Sequence, residues 1–285
     1  MEHALPNFTS SRLAFAFGLT LLAGMATGLG SAVAFFARRT SLRLLAWTLA
    51  FSAGVMLYVS FADILPKAAE NLGRTRSASA AAWLAHLGFF AGIAFMALID
   101  ALVPKAENPH ELRADDDVRR LKAASVPGAP PAVEGQGLRR MGLFTALAIA
   151  IHNFPEGMIT FLSALENPVT GGAIALAVAL HNIPEGISVS VPIFFATGRR
   201  RRAFALSFLS GLAEPLGGAV AAVALDRLLP GDFAGLVFAG VAGVMVYVSI
   251  DELLPTARQH GRSHEVLAGI VGGMAMMAVS LLLLK

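Results

Sequence analysis

The chain contains no cysteine. That excludes disulfides and every thiolate metal site, and it argues against a dedicated Cu(I) carrier, which would need soft sulfur ligands. Charge is also scarce: Asp, Glu, Lys and Arg make up 14% of the 285 residues, where a soluble domain carries about 25%. What fills the space is apolar, 56% of the chain. Many of the 28 glycines lie inside the apolar runs, as expected of helices that pack closely in lipid, where small residues line the interfaces. The net charge of +3 says little about partners, because membrane proteins distribute Lys and Arg for topology. No nucleic-acid footprint survives that correction.

Eight apolar stretches are long enough to cross about 30 Å of hydrocarbon: 13–37, 42–65, 80–103, 140–164, 170–196, 203–225, 233–254 and 265–284. The first is too long for a signal-peptide core and has no convincing cleavage site, so it reads as a retained helix. The expected fold is therefore all-α, a polytopic membrane protein of eight transmembrane helices. Basic residues set its orientation by the positive-inside bias. With both termini extracytoplasmic, the run Arg199 to Arg202, the cluster from Lys105 to Arg140, and Arg38, Arg39, Arg43, Arg258 and Arg262 all fall inside. The segments follow: an extracytoplasmic tail 1–12, helices one to three in 13–103, and a cytoplasmic loop 104–139. Helices four and five occupy 140–196, and helices six to eight lie within 197–285. The loop carries the acidic run Asp115-Asp116-Asp117 and Pro127-Gly128-Ala129-Pro130-Pro131, which read as flexible and solvated. Its single His110 makes it no metal-binding tract.

The chain repeats itself. The stretch from Ala53-Gly54-Val55-Met56 to Leu65-Pro66 recurs from Ala242-Gly243-Val244-Met245 to Leu254-Pro255, pairing spans two and seven. Gly24 to Gly30 in span one matches Gly211 to Gly217 in span six less closely, and Gly92 to Ala97 in span three matches Gly273 to Ala278 in span eight more faintly still. Spans two and seven run in opposite senses in this topology, so the repeat is inverted and the arrangement reads as 3+2+3 about spans four and five. Inverted repeats of this kind are a mark of secondary transporters, whose site lies near the midplane. Asp63 falls at one end of span two and its counterparts Asp251 and Glu252 at the opposite face in span seven. Carboxylates at the two pathway mouths would suit a passing cation, and acids at helix ends are also ordinary.

Spans four and five carry the same heptapeptide: His152-Asn153-Phe154-Pro155-Glu156-Gly157-Met158 and His181-Asn182-Ile183-Pro184-Glu185-Gly186-Ile187. A spacing of four puts each His and Glu on one helical face, one turn apart. His152 lies about 12 residues into its span, roughly 18 Å deep at 1.5 Å per residue, and Glu214 stands near the middle of span six. Three carboxylates at the midplane are costly unless they bind a cation, take up protons, or both. Pro155 and Pro184 remove helical hydrogen bonds to the carbonyls of Ile151 and Leu180. They are expected to open the backbone around the site, with Pro215 doing the same in span six. Imidazole, amide and carboxylate together suit borderline divalent ions (Zn2+, Fe2+, Mn2+, Co2+, Ni2+) better than Ca2+. Two-oxygen glutamates can bridge a pair of them. His3, His86, His260 and His264 lack such partners and read as structural or solvated.

His-Asn-x-Pro-Glu-Gly in spans four and five, Ala213-Glu214-Pro215 in span six and the Leu-Pro ending of span two resemble the ZIP (Zrt/Irt-like) divalent metal transporters, in particular their bacterial ZupT-like branch. The resemblance covers all eight spans. It implies uptake of divalent metal towards the cytoplasm through a binuclear midplane site, in the inner membrane of a bacterium. Carried over by motif, Glu156 and Glu185 would bridge the metals, His152 and His181 would belong to one site, and Asn153, Asn182 and Glu214 to the other. Met56 matches a position that can supply a thioether, and it also reads as an ordinary core methionine. The chain lacks the His-rich cytoplasmic loop of many eukaryotic relatives. The metal ions are substrate, no prosthetic group is implied, and the remaining partner is the lipid bilayer. Glycine faces at Gly211, Gly217 and Gly218 could pack helices within one chain or in a homodimer. A metal-gated channel would use the same cluster. An intramembrane metallohydrolase would need water activated at the metal, and the chain has no His-Glu-x-x-His.

Overall fold

The computed structural model describes residues 9–36, 42–102, 136–197, 199–227 and 233–283. The tail as far as residue 8 and the loop stretch 103–135, with His3, His110 and the acidic run, lie outside the described residues. The described chain forms eight helices and no strand. They are α1 (Ser10–Phe36), α2 (Leu42–Val59, Ser60–Ile64, Leu65–Gly73), α3 (Ala78–Leu102), α4 (Gln136–Glu166), α5 (Pro168–Thr197), α6 (Arg200–Gly211, Ala213–Arg227), α7 (Phe233–Val248, Ser249–Leu253, Leu254–His260) and α8 (Ser263–Leu283). Helix α4 begins inside the stretch that the sequence assigned to the loop. Six of the described helical stretches are long and apolar enough to cross a membrane; α4 and α5, which carry the polar heptapeptides, are not among them. Large apolar side chains such as Leu22, Trp83, Phe90, Leu98 and Leu282 are exposed all round the molecule. An apolar surface that extensive belongs against lipid.

The middle segments of α2 and α7 are π-helical turns. Each ends two residues before a proline, Pro66 or Pro255, which has no N–H for the carbonyl four residues back. The amide of Leu65 reaches back to the Ser60 carbonyl instead, and that of Leu254 to Ser249. Ser60 and Ser249 donate to the carbonyls of Met56 and Met245, both at 2.7 Å. One local device therefore appears twice, at equivalent positions of the repeat.

The helix contacts obey the same repeat. Helix α1 packs on α5 as α6 packs on α4, and α2 on α8 as α7 on α3. Each pairing is drawn tight by glycines facing a backbone carbonyl where a Cβ would stand. Gly30 faces Ile183 and its repeat mate Gly217 faces Phe154; Gly186 faces Thr27 and its mate Gly157 faces Glu214. In the other set Gly54 faces Ile270 as Gly243 faces Phe89, and Gly273 faces Phe51 as Gly92 faces Gly240. Side-chain-free approach of this kind lets dispersion contacts accumulate where lipid gives helices no hydrophobic reason to associate.

Two bundles result, α1/α4/α5/α6 and α2/α3/α7/α8. They meet where α2 lies on α5 and α7 on α4. A large apolar core runs through the seam, with Leu49, Met56, Met96 and Phe238 from one bundle and Ile159 and Phe161 from the other. On one side the seam opens into an apolar groove lined by Gly92 and Phe95 of α3, Phe154 and Pro155 of α4, Leu216 of α6 and Gly240 of α7. Phe154 and Pro155 line this groove, while their neighbours His152, Asn153 and Glu156 are sealed inside the protein.

Candidate metal centre

Helices α4 and α5 bring the two heptapeptides face to face. His152, Asn153, Glu156, His181, Asn182, Glu185 and Glu214 are all buried, none more than 2% exposed. The pairing is crossed: His181 Nε2 lies 3.3 Å from Glu156 Oε2, and His152 Nε2 lies 3.5 Å from Glu185 Oε1. Each imidazole thus meets the carboxylate of the other copy rather than the one a turn away on its own helix. Ligand atoms of Glu156, His181 and Glu185 lie within 4.8 Å of one another, close enough to share an ion. His181 Nδ1 donates to the Ala177 carbonyl at 3.1 Å. That bond fixes the tautomer and leaves the Nε2 lone pair for a cation, the usual orientation of a ligating imidazole. His152 Nδ1 and Glu156 Oε1 are buried without a hydrogen-bond partner.

The two asparagines tie the site to α1 and α6. Asn182 Nδ2 donates to the Ala23 carbonyl at 2.9 Å and also to Glu214 Oε1. The Asn153 amide lies between the Ser210 carbonyl, at 3.4 Å, and Glu185 Oε2 and the Ile149 carbonyl, both at 3.3 Å on its other side. Ala23 and Ser210 are repeat mates, so the asparagines are seated alike. Glu214 stands just past an interruption of α6 at Leu212, which separates Gly211 from Ala213. Pro215 cannot donate to the Gly211 carbonyl, which explains why the helical segment ends at Gly211. In α4 and α5 the helices run unbroken through Pro155 and Pro184. The carbonyls opposite those prolines are released without ending the helix.

The remaining sequence candidates stand elsewhere. Asp63, 7% exposed, is bound to Lys67 at 2.6 Å, one turn along the same helix. Asp251 and Glu252 lie in the π turn of α7. Glu252 is near enough to His152 for its charge to act on that imidazole, while Asp251 hydrogen-bonds Tyr247. Met56 is fully buried in the apolar core. His86 donates to the Ala82 carbonyl at 2.8 Å, and His264 is exposed.

Several polar groups near the site were not singled out in the sequence. Thr160 and Ser163 continue the His152–Glu156 face of α4, and neither hydroxyl has a partner. Ser31, Ser190 and Ser207 converge on the Gly186 carbonyl at 3.4, 2.6 and 3.2 Å. At the end of α4, Glu166 lies 3.4 Å from Asn71 Nδ2 and 3.9 Å from Arg74. Burial holds its carboxyl above the ordinary range against the opposing pull of Asn71 and Arg74. Thr27 holds in α1 the repeat position of Glu214 and is buried without a partner, so the repeat supplies a carboxylate on one side only. Spacings of four and seven from Glu156 were the available signal for Thr160 and Ser163. Nothing in the sequence marked the others.

Two imidazoles, two amides and three carboxylates gathered inside an apolar body offer the mixed nitrogen and oxygen donors that suit a divalent transition ion. A profile of the ZIP zinc transporter family matches residues 3–100 and 106–281. The chain is 55% identical over 269 residues (94% of this chain, 97% of the relative) to a protein of Lysinibacillus sphaericus named zinc transporter ZupT. Proteins of the same name from Clostridium perfringens and Chlorobium luteolum are 50% and 52% identical over 272 and 280 residues, covering 94% and 98% of this chain and 95% and 100% of theirs. Sequence likeness of that extent, running through every helix that builds the buried cluster, makes this chain a multi-pass membrane protein of the ZIP zinc transporter family.

Proposed function

We propose that the protein is a secondary transporter that carries divalent transition-metal ions into the cytoplasm, Zn2+ foremost and Fe2+, Mn2+ or Co2+ by the same ligands. The observation that carries this reading is the crossed pair His181–Glu156 and His152–Glu185, fully buried and with ligand atoms converging. Glu156 and Glu185 have two oxygens each and stand between the imidazoles and the amides, so they bridge two ions. His152 and His181 hold one ion; Asn153, Asn182 and Glu214 hold the other. The relatives' name, zinc transporter ZupT, supports the cargo.

All of these ligands belong to the bundle α1/α4/α5/α6. The other bundle contributes acids near the seam: Asp63 in α2, Asp251 and Glu252 in α7. With both termini extracytoplasmic, Asp63 faces the outside and Glu252 the inside, and a shift of one bundle along the other opens the site to each mouth in turn. The metal is cargo: ligation must be firm enough to strip water and reversible enough to release. Neutral imidazoles and protonatable carboxylates meet that need, since metal and protons compete for the same atoms. The protein is a transport protein with no part in bond chemistry.

Purified protein in liposomes should accumulate Zn2+, saturably, and a panel of Fe2+, Mn2+, Co2+ and Cd2+ with and without a pH gradient should rank the metals and reveal any proton coupling. Uptake that never saturates would favour a channel, and no uptake at all would refute the reading.

A further inference from the structure

We propose that Thr160 and Ser163 form an oxygen ladder along α4, by which a divalent cation exchanges water for protein ligands between the extracytoplasmic mouth and Glu156. This assignment rests on the transport reading above. It adds two positions that the heptapeptide does not contain.

Glu156, Thr160, Ser163 and Glu166 succeed one another at spacings of four, three and three, which places them on one face of the helix. Thr160 is 0% and Ser163 2% exposed, and neither hydroxyl oxygen has a partner. Among the other described buried hydroxyls, Thr27 and Ser52 also lack a partner, and the remaining ones are hydrogen-bonded. Thr20, Ser60, Ser190 and Ser249 each donate to the carbonyl four residues back, at 2.9, 2.7, 2.6 and 2.7 Å. A hydroxyl in an apolar helix satisfies itself in this way by default, because an unpaired buried one is costly. Two unpaired hydroxyls, one turn apart and next in line to Glu156, whose own Oε1 is unpaired, form a row of idle acceptors.

The repeat supplies an internal control. The positions in α5 that match Thr160 and Ser163 are Val189 and Pro192. Val189 is buried at 0% exposure, so an apolar side chain satisfies the packing at the mirrored place. The fold itself therefore does not ask for a hydroxyl there; only the half of the molecule at the Asp63 end has one. At that end the row terminates in Glu166, partly exposed beside Asn71 and Arg74.

The chemistry follows from hydration. A divalent ion arrives with a full water shell and must shed most of it before imidazole and carboxylate can close round it. Oxygens spaced about one turn apart, roughly 5.4 Å, can replace those waters in stages, each neutral hydroxyl binding weakly enough to let the ion move on.

The test uses the full chain in liposomes with Zn2+ and Cd2+ as probes, comparing wild type with Thr160→Val, Thr160→Ser and Ser163→Ala. Thr160→Val keeps the volume and removes the oxygen. It should raise KM for Zn2+ on the order of tenfold with the maximal rate little changed. The loss for Cd2+, a softer ion less dependent on oxygen, should be smaller, so the Zn2+/Cd2+ preference moves. Its thermal midpoint should equal or exceed that of wild type, because an unpaired hydroxyl has been removed. Thr160→Ser should retain wild-type KM, and Ser163→Ala should shift KM in the same direction as Thr160→Val. Unchanged kinetics in Thr160→Val, or impaired uptake with a lowered midpoint and an unmoved metal preference, overturns the ladder. A wild-type protein that loads no Zn2+ overturns the transport reading itself, and the ladder with it.

Discussion

Glu185→Gln separates metal binding from folding by whether its effect depends on metal. Glutamine preserves the shape and one acceptor oxygen, and it removes a charge from a residue that is 1% exposed and lies 3.5 Å from His152. In the apo protein a carboxylate buried beside an imidazole adds little net stability, because desolvation offsets the attraction between them. The variant without metal should therefore be about as stable as wild type. In the presence of metal wild type is the more stable. Wild type at a Zn2+ concentration about 100 times its Kd gains about 2.7 kcal/mol from binding, which for a domain of this size moves the midpoint by about 5 °C. Loss of even a supporting group around a metal weakens affinity about 10–100-fold. A bridging carboxylate should cost at least the upper figure, so at the same Zn2+ concentration the gain falls below about 0.5 kcal/mol. The assay is thermal unfolding in detergent, with EDTA and then with Zn2+. A variant that keeps the full Zn2+ shift, or that is destabilised in EDTA as much as in Zn2+, refutes the placement of Glu185 at the metal.

The close approach of α1 and α5 predicts that Gly186→Ala lowers stability by about 1–3 kcal/mol, because the new Cβ meets the carbonyl of Thr27, with the Ser31 nitrogen at 3.0 Å, and backbone atoms cannot rotate away. Gly18→Ala and Gly172→Ala, where nothing lies within 4 Å, serve as controls in the same denaturation series and should be neutral or slightly stabilising. Glu166→Gln tests the acid at the end of α4. Burial raises that carboxyl in the folded state, so the folded protein binds its proton more readily than the unfolded chain, and stability is lost as pH rises through that window. The variant should therefore match or exceed wild-type stability at pH 8, with the difference closing as the pH falls towards about 4. A wild type that outlasts the variant at pH 8 would show instead that the contacts with Asn71 and Arg74 prevail over burial.

The repeat has a functional edge because it is imperfect. The two halves share their helix pairings, π turns and asparagine seats, and they differ where a cation would sense direction. Glu214 has Thr27 as its mate, Thr160 has Val189, and Asp63 is held by Lys67 while Glu252 has Thr256 at the matching place. A site built by duplication is symmetric in its supports and polar in its path.

Much of this was settled by the sequence alone. In lipid every backbone polar group must be satisfied within its own segment, so apolar runs of sufficient length can only be helices. Once they are helices, a spacing of four commits His152 with Glu156, and His181 with Glu185, to single faces. The duplicated motifs then implied a paired, central, metal-holding cluster before any contact between helices was known. Tertiary structure alone decided which atoms meet. The crossing of the His–Glu pairs, the grip of Ala23 on Asn182 and the idle hydroxyls of Thr160 and Ser163 depend on how far each helix is rotated and how near it approaches. Those quantities are set by glycine-to-carbonyl contacts between segments far apart in the chain, and a spacing along one helix carries no information about them. The break in α6 and the two π turns belong to the same class: a proline announces a missing hydrogen bond, and the neighbouring helices determine whether the chain breaks, widens or runs straight through.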